Sequence, residues 1–439
     1  MSPHTPPEQH TTVAIVGAGM AGLIAGRNLR RQGIDVLILE SANRVGGRVL
    51  SETSVLGSRL DLGGQWIGYG HNRFENLAED LGVNQFPMHT PTRPVIVRNG
   101  RAVSPYQLGS LVALIALGGF EMRSKLKPPK SWSTTTIDGW IRQLPSSTAR
   151  RLLQVSIEVA TTADLDQFVM SAFAAMVRDQ GGLSAMTKTR GGAQETLIVE
   201  GVGTLTDQIA AELGKYVLLN TTVQSIHRTD VGISLKSSTG TVHADRIIVC
   251  VPPPRLKGIS FDPPLPRDLI QLSNDSYMGS VYKAIAVYNE PFWRESLDAE
   301  FMLLDRPAGA VFDTSPPDGP GHLCMLIGGK EARTLDAMNP SARRDAVLNS
   351  LATAAKLPGL RRPAGWHEKA WHLDEYVGGG YSALPRKDVT HSIYPAPSEP
   401  IAGTMFWAGT ETATEHAGYI EGAIQSGERA ARQVLDSLR

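Results

Sequence analysis

Residues Val13 to Val16 form a β-rich apolar run, and after a glycine-rich turn the pattern becomes a helical repeat that Gly33 can terminate. A second apolar run, Val36 to Leu39, delivers Glu40. Strand, helix and strand in that order predict a βαβ unit at the start of the chain. Further along, VLLNTTVQSI and ADRIIVCVPPP predict strands of a returning sheet, with the prolines ending its pairing. In VYKAIAVY, Lys283 shares a face with Val281, Ile285 and Val287, and Tyr282, Ala284, Ala286 and Tyr288 occupy the other. Both faces read as buried, where a lysine is costly without a partner. The competing reading is an edge-strand lysine that blocks aggregation. Residues 99–199 read as helix-rich, and YIEGAIQSGERAARQVLDSL reads as a long helix. The longest apolar stretch, Leu108 to Phe120, is shorter than the roughly 20 residues that span a bilayer. It predicts a buried or cavity-lining helix, with a monotopic surface contact as the alternative.

The 439 residues, 41% of them hydrophobic, suggest two domains rather than one core. Lys plus Arg and Asp plus Glu balance at 43 each, so no net field recruits nucleic acid or an anionic membrane. Cys250 and Cys324 form no C-x-x-C or metal-ligand pattern and read as free thiols of a reducing compartment. Residues 1–10 are polar and proline-rich, without an apolar signal region, and are expected to be a flexible tail. The final Ser-Leu-Arg is not the Ser-Lys-Leu address, so a cytoplasmic location is expected. A homodimer is compatible with such a chain.

The turn inside the βαβ unit is Gly17-x-Gly19-x-x-Gly22, with Glu40 eighteen residues beyond Gly22. Gly17 allows the tight turn, Gly19 the approach of a pyrophosphate, and Gly22 close packing of helix on strand, while Glu40 can bind ribose hydroxyls. This predicts dinucleotide binding without separating FAD from NAD. Two further segments follow, Arg44-Val45-Gly46-Gly47-Arg48 and Asp61-Leu62-Gly63-Gly64-Gln65-Trp66, where arginines beside glycines suit a diphosphate.

Together GAGMAGL, ESANRVGGR and DLGGQW resemble the N-terminal FAD segment of the flavin-dependent amine oxidase family, in particular its monoamine oxidase branch. GGAQE, GSVYKAIAVYNEPFW, WHLDEYVGGGY and WAGTETATEHAGYIEGAIQSGERAAR follow in the family's order. The resemblance covers nearly the whole chain and is weakest between Asn99 and Arg178. It implies an α/β fold of the glutathione-reductase-like FAD type. A Rossmann-like FAD-binding domain (11–98, 200–265 and 368–439) would be interleaved with an α+β substrate domain (99–199 and 266–367).

The same resemblance implies the residue roles. Arg44, Gly47, Arg48, Gly64, Gln65, Trp66, Gly409, Thr410, Glu411 and Ile420 would contact FAD, with Val223 near its adenine and Trp371 and Tyr376 around the flavin ring. Lys283 would hold a water on flavin N5 and assist reoxidation. Tyr381 and Tyr419 would flank the substrate nitrogen, with glycines 378 to 380 letting the backbone run along the flavin. Gln194, Trp66, Thr187 and Leu326 would line the substrate cavity. The start of the last helix would favour negative charge on the reduced flavin. Gly380 stands where mitochondrial monoamine oxidases carry the cysteine that bonds the flavin, which implies noncovalent FAD. No counterpart of their membrane-anchoring C-terminal helix is expected.

The implied reaction is oxidation of an amine to an imine, which hydrolyses to an aldehyde or ketone, with O2 reduced to H2O2. No general-base histidine is matched, which fits entry of the substrate as neutral amine. An aryl or alkyl monoamine, cyclic and secondary ones included, is the first choice of substrate. An amino acid oxidase would need an arginine, for which only Arg190 is a candidate. A polyamine oxidase would need a distal acid such as Glu158, Asp164 or Asp179. A dehydrogenase passing electrons to a protein or quinone would share every motif. A catalytically silent FAD scaffold would not need Lys283 and both tyrosines.

Overall fold

The computed structural model describes residues 8–90, 95–98, 101–104, 106–126, 128–230, 232–297, 299, 301–304, 306, 307, 309–389 and 393–439. The predicted βαβ unit comprises β1 (Glu8–Val16), α1 (Met20–Arg31) and β2 (Val36–Leu39). Gly33 follows the helix with φ +79°, as its terminating role requires. Glu8, Gln9 and His10 already belong to β1, so the chain enters the sheet three residues inside the expected tail. The extra strand length is held by pairing to a distant partner, which local composition does not reveal.

Next come α2 (Asn72–Asp80), α3 (Leu108–Lys125), α4 (Ser147–Thr161) and α5 (Met170–Asp179). The chain returns through β3 (Val217–Leu218), β4 (Val223–Thr229), β5 (Gly232–Ser237), β6 (Thr241–Val249) and β7 (Ser260–Asp262). It departs again for β8 (Val281–Tyr288), β9 (Ala310–Asp313), β10 (Gly321–Gly328) and β11 (Gly365–Ala370). It closes with β12 (Met405–Trp407) and α6 (Ile420–Ser437).

The first sheet has the order β7-β4-β5-β6-β1-β2-β3, with β12 added beside β6. Its centre is parallel: β1 lies between β2 and β6. Val13 and Ile15 face the core shared with α1 and α6, while Ala14 and Val16 face the core on the other side. Burial on both faces explains the unbroken apolar run. The α1 and α6 helices pack closely because Gly427 has no side chain; a Cβ there would lie 2.4 Å from the Ala21 carbonyl oxygen.

The second sheet runs β11-β8-β10-β9 and continues through Phe301–Leu303, Val95–Arg98 and Arg101–Val103. Sheet membership thus assigns Val95–Arg98 and all of β11 to this second body, a few residues away from the boundaries expected at 98 and 368. Every residue of β8 is buried, and the strand is paired on both sides, by β10 and β11. Lys283 is therefore not on an edge strand.

The apolar α3 departs from expectation. Ser110, Ala113, Phe120 and Ser124 face inward, whereas Leu108, Leu111, Leu114, Ile115 and Met122 are exposed. The inward residues are spaced by three, seven and four positions, one or two helical turns apart, which makes them the helical seam and turns the bulky aliphatic residues outward. Among the described residues no helix is long and apolar enough to cross a membrane.

Candidate active site

One continuous cavity runs from the glycine-rich turn after β1 to the start of α6 and the inner face of β8. At its first end the backbone is fitted to a close neighbour. Gly17 has φ +103°, and a Cβ on Gly22 would sit 2.0 Å from the Gly17 carbonyl oxygen. Gly19 caps α1 without a side-chain hydrogen bond, leaving the amides of the helix start open to a ligand. Glu40, directly after β2, lies on the cavity wall and accepts from Ala18 N at 2.6 Å and Ala42 N at 2.9 Å. Burial raises its pKa against those two hydrogen bonds. Val223 also lines this cavity.

The two arginines of the following loop have different surroundings. Arg48 lines the cavity and makes a two-pronged pair with Glu411, at 2.7 and 3.0 Å, while donating to the Tyr381 carbonyl at 3.0 Å. Glu411 is buried behind it rather than on the wall. Burial pushes this carboxyl up, but Arg48 overrides that and holds it below its ordinary value. Arg44 does not line the cavity. Its guanidinium donates to the carbonyls of Val45, Gly47 and Val49, at 3.0, 2.8 and 3.0 Å, and so shapes the loop. Gly47, Gly64, Gln65, Trp66, Trp371, Tyr376, Gly409, Thr410 and Ile420 all reach the cavity wall.

Lys283 projects from the buried face of β8 into the cavity. Its Nζ donates to the Gly63 carbonyl at 2.8 Å and to the Gln65 side-chain oxygen. Burial lowers its pKa, opposed by Cys324 and Asp61. Tyr381 and Tyr419 stand on the same wall. The Tyr381 hydroxyl is buried without a hydrogen-bond partner among the described residues, which leaves it available to a ligand or solvent. Thr410 fixes the other tyrosine's loop: its hydroxyl donates to the Tyr419 carbonyl and accepts from Gly418 N, both at 2.7 Å. Tyr419 also caps α6, with no side-chain hydrogen bond closing that helix start.

The glycine triplet also has close neighbours within the protein. A Cβ on Gly379 would lie 2.4 Å from the Gly279 carbonyl oxygen and 2.6 Å from Met278 Cβ. Gly378, with φ +72°, abuts Arg255. Only Gly380 lines the cavity, so the first two glycines let the segment cross other protein backbone and thereby deliver Tyr381.

On the side formed by α4, α5 and residues 183–194, the wall includes Val159, Thr161, Met176, Gln180, Met186 and Gln194, with Leu326 from β10. Thr187 is not among them. It is exposed and its hydroxyl donates to the Leu183 carbonyl, because one helical step of about 100° separates it from inward-facing Met186. Arg190 bonds Thr90, Asp164 pairs with Arg333, and neither these nor Glu158 and Asp179 line this cavity.

Several wall residues and their supports were not singled out from the sequence. Cys250 lines the cavity beside Gly17, and burial pushes its thiol up to about 12, so it stays protonated. Arg255 lies near Gly378. Gln180 donates to the Ala417 carbonyl, tying α5 to the loop of Tyr419. His71 lies behind Tyr419, its ring centroid 5.1 Å from that ring and 4.7 Å from His416. Burial, then the charge of His416, pushes it down to about 3, so it packs as neutral imidazole. Only the turn signal at Gly68 to Gly70 marks this region in the sequence.

The model for flavin-containing amine oxidoreductases matches residues 20–435. A Mycobacterium tuberculosis protein whose name places it with the flavin-containing monoamine oxidases, AofH, is 35% identical over 99% of this chain and 98% of its own. Flavin-containing amine oxidase B of Sus scrofa is 28% identical, covering 97% of this chain and 86% of that one. Among solved structures, cyclohexylamine oxidase from Brevibacterium oxydans superposes with a TM-score of 0.90 at 27% identity, over 98% of this chain and 99% of the other. Putrescine oxidase bound to putrescine gives 0.86 at 25% identity, over 98% and 100%.

Proposed function

Because this chain belongs to the flavin-containing amine oxidoreductase family, with FAD as cofactor and a small-molecule amine and O2 as its reactants, we propose that its substrate is an apolar monoamine. The carrying observation is the composition of the cavity wall around Lys283. The contributions of α4, α5, residues 183–194 and Leu326 are apolar or neutral, and the charged lining residues are Glu40, Arg48, Arg255 and Lys283. Glu40 stands by the glycine-rich turn, Arg48 is neutralised by Glu411, and Arg255 bonds the Glu375 carbonyl at the rim. A diamine's second ammonium or an amino acid's carboxylate would be desolvated there without a counter-charge, which is costly. The amide groups of Gln180 and Gln194 serve substrates with a neutral polar substituent.

The residues present fit FAD. The Gly17–Gly22 turn and open start of α1 suit a pyrophosphate, Glu40 suits ribose hydroxyls, and Gly64, Trp371 and Tyr381 surround space for a flat ring. When bound, the flavin takes two electrons from the amine's α-carbon and yields them to O2, so that imine and H2O2 are formed. Gly380 and the protonated Cys250 offer no reactive sulfur for a covalent link, so attachment is noncovalent.

Tyr381 and Tyr419 present ring faces that align the amine nitrogen, and their hydroxyls are held protonated by burial; that of Tyr419 is pushed up to about 12. No histidine or free carboxylate stands among the substrate-side lining residues, so the amine sheds its proton to solvent before it is aligned. Lys283, fixed by Gly63 and Gln65, holds positive charge and a water at the inner wall. The open start of α6 favours negative charge placed before it. The test compares kcat/KM for an alkyl monoamine with that for the α,ω-diamine and the α-amino acid of equal length. The monoamine should exceed both by roughly tenfold or more, about 1.4 kcal/mol for each tenfold step. Equal or better use of the diamine defeats this assignment.

A further inference from the structure

A second group of ligating side chains lies on the first sheet, at the end away from the cavity. In the parallel pairing of β1 with β6, His10 stands directly beside His243. The imidazoles stack with centroids 4.9 Å apart and planes 20° apart. Glu8, two residues before His10, projects from the same face of β1. A donor atom from each of the three side chains lies within 4.8 Å of the others. No hydrogen bond or ion pair to a described residue occupies these donor atoms.

The register extends this row across the sheet. His243 is opposite Ser234 on β5, Ser234 is opposite His227 on β4, and His227 is beside Asp262 on β7. Neighbours in register share a face, so the row carries three histidines on the side where polar residues alternate with buried Ile226, Ile233, Val242 and Ala244. His227 is already engaged, its Nδ1 lying 2.7 Å from the Asp262 carboxylate. His10 and His243 are not.

We propose that Glu8, His10 and His243 bind one divalent first-row transition-metal ion, with zinc as the reference ion. Two imidazoles and a carboxylate suit zinc, nickel or copper, whereas magnesium and calcium require an all-oxygen shell. Tetrahedral zinc with bonds of about 2.0–2.1 Å places its ligand atoms roughly 3.3 Å apart. The strand pairing fixes both histidine backbones side by side, so side-chain torsions of these solvent-accessible residues suffice to close the set around an ion. Water completes the fourth position. The ion would tie the outer end of β1 to β6, eight residues and roughly 26 Å of strand from the glycine-rich turn, and therefore acts on stability and not on turnover.

The experiment uses tag-free, FAD-loaded protein equilibrated with zinc chloride, with bound metal measured after dialysis and thermal unfolding followed in parallel. One zinc per chain is expected, with a rise in Tm that a chelator reverses and unchanged amine oxidation. His10→Ala and His243→Ala should each weaken binding by about tenfold or more, while His227→Ala leaves it intact. Retained flavin absorbance verifies that the variants are folded. Absence of bound zinc in the unaltered protein, or retention of one tightly bound zinc by the His10→Ala, His243→Ala double variant, overturns the proposal.

Discussion

Lys283 Nζ lies 2.8 Å from the carbonyl oxygen of Gly63, joining an inner strand of the second sheet to the loop that lines the cavity beside the first. The lysine is thus held in place between the two sheets, with Gln65 as its second acceptor. Burial opposes its charge and these acceptors favour it, which suits a group that stabilises negative charge developing on oxygen. Lys283→Met should slow reoxidation of the reduced enzyme by O2 much more than reduction by amine. Stopped-flow measurement of the two half-reactions checks this, and unchanged rates in both make Lys283 a packing residue.

The tyrosine pair should act through its rings. Tyr381→Phe and Tyr419→Phe are expected to be mild. Replacement of either by Leu should lower kcat/KM by roughly tenfold, about 1.4 kcal/mol of transition-state stabilisation, with FAD content near normal. Rapid-mixing reduction rates across several amines check the assignment; wild-type rates in both Leu variants contradict it.

Attachment follows from Gly380 on the wall and from a Cys250 thiol that stays protonated. Acid precipitation of the yellow protein should leave intact FAD in the supernatant. Flavin that remains with the pellet would show a covalent link.

Glu158 gives the fold a defined pH response. Burial, then the charge of Glu331, pushes its carboxyl up to about 7 from an ordinary value of 4.5. Over that interval the folded protein holds a proton that the unfolded chain has released, so stability falls as pH rises from 4.5 through about 7. Glu158→Gln removes this titration. The variant's Tm should gain on wild type steadily between those pH values, and parallel Tm curves would contradict the assignment.

Legibility in the sequence tracked how local each constraint is. Gly17, Gly22 and Glu40 could be placed because a βαβ turn fixes its own geometry within about thirty residues. Lys283 was legible as a charge in a strand apolar on both faces. Arg44 could not be placed as finely, because an arginine beside glycines looks the same whether it meets a phosphate or its own loop's carbonyls. Thr187 lies one helical step from Met186 on the wall, a difference that composition does not mark. His71 and Gln180 reach the Tyr419 loop across 348 and 237 positions or so of chain, respectively, as the contacts of His71 with Tyr419 and of Gln180 with Ala417 record. Nothing near them in sequence marks such contacts. The outward face of α3 was hidden because inward and outward positions there are all apolar or small.

The most direct measurement mixes FAD-loaded enzyme with an apolar monoamine without oxygen, then admits O2. The amine should bleach the oxidised-flavin absorbance, oxygen should restore it, and each turnover should yield one carbonyl product and one H2O2. Flavin left oxidised by every apolar monoamine tried but bleached by a diamine, or a bleached flavin that O2 fails to restore, would contradict the proposed function.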